Sequence, residues 1–182
     1  CAEDIINLDN LITELEKEHG IPEGTIKIVA SIENALGVIN SYKIASASPR
    51  MLAIGLGAED FRTEMGMERS ETAEEILFAR NLIALNAHAA GIKAMDYVYS
   101  NIKNDEGFRK DTMLGKKLGY SGKSVVHPQQ VAIVHEVYTP SDKEIENAKA
   151  VFAAYEDALK NGSGVTSLNG KMIDKPMVTR AM

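Results

Sequence analysis

A parallel α/β fold is predicted by three observations. Apolar runs of strand length alternate four times with amphipathic helical stretches, at roughly 30-residue spacing, which is the rhythm of βα units. The first run, 25–32, is rich in β-branched residues, and the helical stretches are closed by Gly20 and Pro22, Gly91, Gly119 and Gly162. Two consecutive runs end in a carboxylate, Glu33 and Asp60, where the carboxyl ends of parallel strands form the working face of such folds.

The elements follow in order. Residues 3–18 carry Ile5, Leu8, Leu11, Ile12 and Leu15 at helical spacing, and Gly20 and Pro22 stop that helix. A strand is predicted over 25–32, then a helix over 34–47 with Pro49 beyond it, then a strand over 51–56. The polar segment 62–71 reads as a loop over the active face. Thr72-Ala73-Glu74-Glu75 has the form of a capping box and opens a helix that Gly91 closes. A strand over 92–99, a helix over 104–118, a short strand over 123–126 and a helix from Pro128 to Tyr138 follow. A second capping box, Ser141 to Glu144, starts a helix that ends at Gly162. The tail reads as an extended arm, so the expected division is 1–162 for the βα units and 163–182 for the arm.

Of the 182 residues, 45% are hydrophobic and 25% charged, an ordinary globular composition. The net charge of −6, with no basic cluster, argues against a nucleic-acid surface. No apolar run is long enough to span a bilayer, and no secretory leader is visible. The single cysteine, Cys1, excludes an internal disulfide and fits a cytoplasmic location. A chain that begins with Cys and opens directly into a helix is expected to be a piece of a longer protein.

Two glycine motifs invite other readings. Gly55-Leu56-Gly57 would need a third glycine at position 60, which is Asp60, and a helix starting there, so a dinucleotide site is rejected. Gly122-Lys123-Ser124 lacks the leading glycine of a phosphate-binding loop and precedes a strand rather than following one. Glu33 and Asp60 remain. Acids at strand ends commonly cap helices, but two from neighbouring strands can share a hard cation, and Mg²⁺ takes one or two carboxylates and leaves room for substrate oxygens. Asp96 is a third strand-end acid and a weaker candidate for substrate contact. None of the four histidines has zinc spacing; His127, at a strand end, is a candidate ligand contact.

The chain resembles the citrate lyase β-subunit family, within the wider citrate lyase β/malyl-CoA lyase/HpcH–HpaI aldolase superfamily. The resemblance rests on Ile32-Glu33 with Gly37, Leu56-Gly57-Ala58-Glu59-Asp60, Glu75 to Arg80, Asp96 to Ser100, Gly119 to Ser124 and Leu168 to Asp174. It implies the C-terminal half of a TIM barrel, about four βα units, plus a C-terminal arm, with Mg²⁺ held by Glu33 and Asp60. It implies that backbone amides from Gly57 through Ala58 and Glu59 to Asp60 receive a keto-acid carboxylate. Asp174, in the arm, is implied to reach a neighbouring subunit as a proton donor or acceptor, and Gly122, Lys123, Ser124 and Pro128 to shape the thioester side. The implied reaction is Mg²⁺-dependent retro-Claisen cleavage of a citryl thioester to oxaloacetate and an acetyl thioester. The implied partners are an acyl carrier protein and the other citrate lyase subunits. The alternatives are a malyl- or citramalyl-CoA lyase, a Mg²⁺-dependent 2-keto acid aldolase, or an inert structural piece. A half-barrel leaves open strand edges, so homo-oligomerisation or pairing with the missing half is expected. The family's early basic substrate-gripping residue has no counterpart and would lie upstream of Cys1.

Overall fold

The computed structural model describes the backbone of residues 1–181 and the side chains of 1–179. Its elements are α1 (Ala2–Glu18), β1 (Ile28–Ile32), α2 (Ala35–Ile39), α3 (Ser41–Ala45), β2 (Met51–Leu56), α4 (Ala58–Met65), a 3₁₀ turn (Glu74–Ile76), α5 (Leu77–Ala89), β3 (Lys93–Asp96), α6 (Asp105–Lys117), β4 (Gly122–Lys123), α7 (Gln129–Tyr138), α8 (Asp142–Lys160), β5 (Thr166–Leu168), β6 (Lys171–Ile173) and α9 (Lys175–Ala181).

β1 to β4 form one parallel sheet in sequence order, each strand pairing with the next through a helical crossover. Ile32 lies opposite Leu56, so β1 and β2 end level. The core is built where the apolar side of that sheet meets its helices: Ile28, Ile32, Ile54 and Leu56 pack with Ile44 and Ile83. Removing such side chains from water is the main force closing the layer.

A buried ionic cluster fastens α1 to the start of β2. The Arg50 guanidinium donates to both Glu16 carboxylate oxygens, at 2.9 and 2.7 Å, and also to Asp9 and Thr13. Glu16 accepts further bonds from the Gly24 and Ile26 amides. The Arg50 hydrogen bonds, with those two amides, outweigh burial and hold the Glu16 carboxyl at about 2, against 4.5 ordinarily. Its folded value lies below its unfolded one, so its contribution is complete above pH 4.5 and is lost as the pH falls toward 2. In an acid titration followed by circular dichroism, Glu16→Gln is expected to lower stability at pH 7 and to flatten the loss between pH 4.5 and 2; equal slopes would contradict this role.

Contacts divide the chain into two compact units, Cys1–Tyr138 and Thr139–Met182. The division falls at 138/139 rather than the expected 162/163, because α8 builds its own small core with the tail. Val151 of α8 packs in one buried cluster with Ile173 and Val178. The tail is therefore not an extended arm. Its β5–β6 hairpin turns on Asn169 and Gly170, both at positive φ, as a two-residue hairpin loop requires.

Two helices also differ from expectation. The predicted helix over 34–47 is broken into α2 and α3 at Asn40, which caps one and begins the other. The Thr72–Glu75 capping box does not form. Ala73 adopts φ 54°, and the Glu75 carboxylate turns instead to Arg62 Nε at 2.6 Å and to the Ser70 hydroxyl. The box at Ser141 and Glu144 does form.

Candidate active site

The level ends of β1 and β2 set the geometry. The Gly57 amide donates to Ile32 O at 2.9 Å, carrying the ladder one step past β2. Glu33 therefore emerges beside Gly57, and its side chain lies over that glycine. A methyl group on Gly57 would come within 2.3 Å of Glu33 Cγ and 2.8 Å of Glu33 Oε1. A larger residue at Gly57 would therefore push the Glu33 side chain aside, although the φ of −80° there suits any residue.

Gly57 is also the N-cap of α4, whose third residue is Asp60. Asp60, expected at a strand end, sits in the first turn of a helix, and residues 62–65, expected to open a loop, continue that helix; the chain leaves it only at Gly66, which takes φ 64°. A helix does begin after Gly55-Leu56-Gly57, so that ground for rejecting a dinucleotide site falls. The other ground, Asp60 in place of the third glycine, stands. The first helical hydrogen bond of α4 runs from Phe61 N to Gly57 O. The amides of Ala58, Glu59 and Asp60 precede it and have no acceptor inside the helix, and the positive helix end favours anions there.

Glu33 and Asp60 are both exposed, and neither carboxylate makes a hydrogen bond or ion pair with any described residue. Neighbouring acids are engaged. Glu59 bonds Arg62 and Arg69, each at 2.9 Å, and Glu64 accepts from the Ala35 amide. Among the described residues no group of three or more His, Cys, Asp or Glu could hold a metal. What the chain offers is a pair of free carboxylates, an all-oxygen donor set that fits Mg²⁺ in number and hardness. Glu33, with Ser31, Asn34 and Lys43, lines an open cavity of about 390 Å³; Asp60 does not line it.

The other candidates fall elsewhere. β4 is two strands from β2, so Gly122, Lys123, Ser124 and Pro128 are not brought together with the acid pair. Lys123 is buried, and its ammonium is held by Asp96 Oδ2 at 3.0 Å, Asp111 Oδ2 at 2.6 Å and Tyr97 O at 2.8 Å. Within this chain it serves the core rather than a ligand. Asp96 is 1% exposed and receives Arg80 Nε and Nη2 at 3.0 and 2.6 Å. Its role is structural, and the substrate contact considered for it is withdrawn. His127 is exposed, and its Nδ1 accepts from the Gln129 amide. Asp174 belongs to the second unit, where it accepts from the Met177 amide at the start of α9.

The sequence reading missed Arg80 and Asp111 as partners. Arg80 Nη1 meets Asp111 Oδ1 at 3.0 Å, Tyr97 donates to the same oxygen at 2.9 Å, and Tyr120 donates to Arg80 O at 2.8 Å. Burial alone would raise the Asp111 carboxyl, but the charges of Lys123 and Arg80 hold it below its ordinary value. The only sequence signal for this cluster is an arginine on the apolar face of a helix.

The fold and site define a parallel α/β protein that presents two free carboxylates beyond the ends of adjacent strands, one just past β1 and one in the first turn of the helix after β2. The chain belongs to the HpcH/HpaI aldolase/citrate lyase family, whose pattern it matches over residues 1–128. It is 50% identical to the citrate lyase subunit beta of Leuconostoc mesenteroides subsp. cremoris, over 96% of this chain and 58% of that protein. It is 32% identical to the L-malyl-CoA/beta-methylmalyl-CoA lyase of Cereibacter sphaeroides, over 100% of this chain and 62% of that protein. Among solved structures it resembles the CitE protein of Mycobacterium tuberculosis in complex with magnesium, acetoacetate and coenzyme A. The TM-score is 0.74 at 28% identity, covering 85% of this chain and 58% of that one. The chain thus spans about 60% of the length of the relatives it matches.

Proposed function

We propose that this chain is the metal-carrying part of a citrate lyase β-type enzyme that cleaves a citryl thioester to oxaloacetate and an acetyl thioester. One observation carries the reading: Glu33, just past β1, and Asp60, in the first turn of the helix that follows β2, carry free carboxylates beside two strands that end level, while the acids around them are engaged. The 50% identity to a citrate lyase β subunit, against 32% to a malyl-CoA lyase, supports the citryl substrate.

Glu33 and Asp60 would hold Mg²⁺, which when bound supplies Lewis-acid polarisation of hydroxyl and carboxylate oxygens. The magnesium complex of the CitE protein supports that choice of ion. The first-turn amides of α4, at Ala58, Glu59 and Asp60, orient a substrate carboxylate; the Gly57 amide, expected to share that role, is committed to Ile32 O instead. A base takes the proton of the tertiary hydroxyl as its C–O bond becomes a carbonyl. The C–C bond breaks, its electron pair passes to the thioester α-carbon, and that enolate is protonated. Asp174 of a neighbouring copy carries out one of these two proton transfers. Gly122, Ser124 and Pro128 shape the thioester side once the sheet closes into a (β/α)₈ barrel, of which residues 1–138 supply four strands.

The partners in this reading are an acyl carrier protein, the other subunits of a citrate lyase complex and further copies of the chain, in the cytoplasm. The relatives' designation as a subunit supports the complex, and the unpaired edge of β1 supports association. Among the described residues no helix is long and apolar enough to cross a membrane.

The test is a comparison of citryl-CoA with malyl-CoA as substrates of the intact protein, with Mg²⁺ and with EDTA. Oxaloacetate is expected from citryl-CoA at about tenfold or more higher kcat/KM than glyoxylate from malyl-CoA, and EDTA is expected to stop both. A preference for malyl-CoA would favour the second lyase; turnover in EDTA would remove the metal from the account.

A further inference from the structure

We infer that Ser31 is a positioning residue for the metal site: its hydroxyl donates to the Glu33 carboxylate and fixes the orientation in which that carboxylate takes the cation. The inference rests on the metal reading proposed above and extends it to a residue outside the acid pair.

Side chains alternate along a strand, so Val29 and Ser31 of β1 share one face with Glu33, just past its end. The opposite face carries Ile28 and Ile32 and belongs to the core. Val29 is 58% exposed, so the face that holds Ser31 is open.

Ser31 and Glu33 converge on one point. Ser31 lies opposite Gly55 in the ladder, and Gly57 follows two residues on, toward Glu33. A Cβ on Gly57 would stand 2.8 Å from Ser31 Oγ and 2.8 Å from Glu33 Oε1. The two oxygens are therefore no farther apart than twice that distance, within reach of a rotation of either side chain. Glycine at 57 leaves the space between them clear. Both residues line the same open cavity of about 390 Å³.

Both groups are uncommitted. Neither the Ser31 hydroxyl nor the Glu33 carboxylate bonds any described residue. The other polar side chains of the cavity are turned elsewhere. Asn34 accepts from the Gly37 amide at 2.7 Å, and Asn40 donates to Leu36 O at 2.9 Å. Lys43 forms no ion pair with Glu33.

The chemistry calls for such a donor. Mg²⁺ demands near-ideal octahedral geometry, and an exposed glutamate without a partner samples several rotamers. An ionised carboxylate offers several lone pairs, so Glu33 accepts from Ser31 and still has oxygen lone pairs for a cation. Serine, with one short rotor on a strand, loses little freedom in making the bond. Hydrogen-bond partners of ligating groups contribute about 10- to 100-fold to metal affinity; an exposed serine belongs at the low end.

The test is Mn²⁺ binding, followed by electron paramagnetic resonance, in the intact protein and its Ser31→Ala, Ser31→Thr and Glu33→Gln variants. Ser31→Ala is expected to weaken binding about tenfold, and Ser31→Thr, which keeps the hydroxyl and suits a strand, to stay within about twofold of the wild type. Far-UV circular dichroism should not change, because Ser31 is exposed and unbonded. In turnover of citryl-CoA, the rate lost in Ser31→Ala is expected to return when Mg²⁺ is raised about tenfold, since the ligand is present but loosely held. Wild-type affinity in Ser31→Ala, with binding lost in Glu33→Gln, would overturn the inference and leave the metal reading standing. Wild-type affinity in Glu33→Gln would overturn both. Equal weakening in Ser31→Ala and Ser31→Thr would assign the effect to packing rather than to the hydroxyl, and would also overturn the inference.

Discussion

Glu33→Gln and Asp60→Asn, made singly in the intact protein, are expected to lower Mg²⁺-dependent cleavage of citryl-CoA at least ~10³-fold each. Both replacements keep the shape and remove the charge, so each takes away one of the two carboxylates proposed to hold the cation. A Lewis acid contributes several kcal/mol to such a transition state, and ~4 kcal/mol corresponds to that loss in rate. The fold should be indifferent, because neither carboxylate has a partner in it and both are exposed. Thermal stability is therefore expected to stay within about 0.5 kcal/mol of the wild type. Glu68→Gln, at an exposed acid in the loop after α4, is expected to leave the rate alone. Turnover near the wild-type rate in either Glu33→Gln or Asp60→Asn would remove the site.

Arg80→Met is expected to do the reverse, with a large effect on stability. Asp96 is 1% exposed and relies on Arg80 for two of its bonds; Asp111 shares the same guanidinium. Removing one member of a buried ionic cluster strands the others without water, at a cost of about 3–5 kcal/mol. The loss would appear as a lower urea midpoint of the first unit, read from near-UV tyrosine circular dichroism, since Tyr97 and Tyr120 both belong to the cluster. A cost below about 1 kcal/mol would mean that Lys123 alone satisfies both aspartates. Replacing Asp96, Asp111 and Lys123 together with Arg80 by apolar residues of similar volume should cost less than Arg80→Met alone, because no charge is then left buried.

What was legible in the sequence was whatever local pattern decides. The expected bounds of the second strand, 51 and 56, hold because five hydrophobic residues and Gly55 stand between Arg50 and Gly57. The helix starts expected at Asn104 and Ser141 hold because each side chain caps an amide only three residues away. Errors arose where distant partners override local pattern. Residues 62–65 read as the start of a polar loop because Arg62 belongs by type on the surface; in the fold it is buried, bonded to Glu59 and Glu75, and these residues continue α4. That same pairing draws Glu75 out of its capping box. Asp96 looked like a strand-end ligand because Arg80 and Lys123, its partners, lie 16 and 27 residues away. The tail offered a signal that went unread: Asn169-Gly170 between short alternating runs is a hairpin turn.

For the acid pair, sequence supplied the residues and the strand ends, and the register supplied the rest. Only the pairing of Ile32 with Leu56, and the bond from Gly57 to Ile32, bring Glu33 against the cap of the helix that carries Asp60. The most direct test is a titration of the intact protein with Mn²⁺, a stand-in for Mg²⁺ followed by electron paramagnetic resonance. One saturable ion per chain, displaced by Mg²⁺ and absent from both Glu33→Gln and Asp60→Asn, is the expected outcome. Wild-type binding in either variant would place the ion elsewhere and leave the two carboxylates as surface charges.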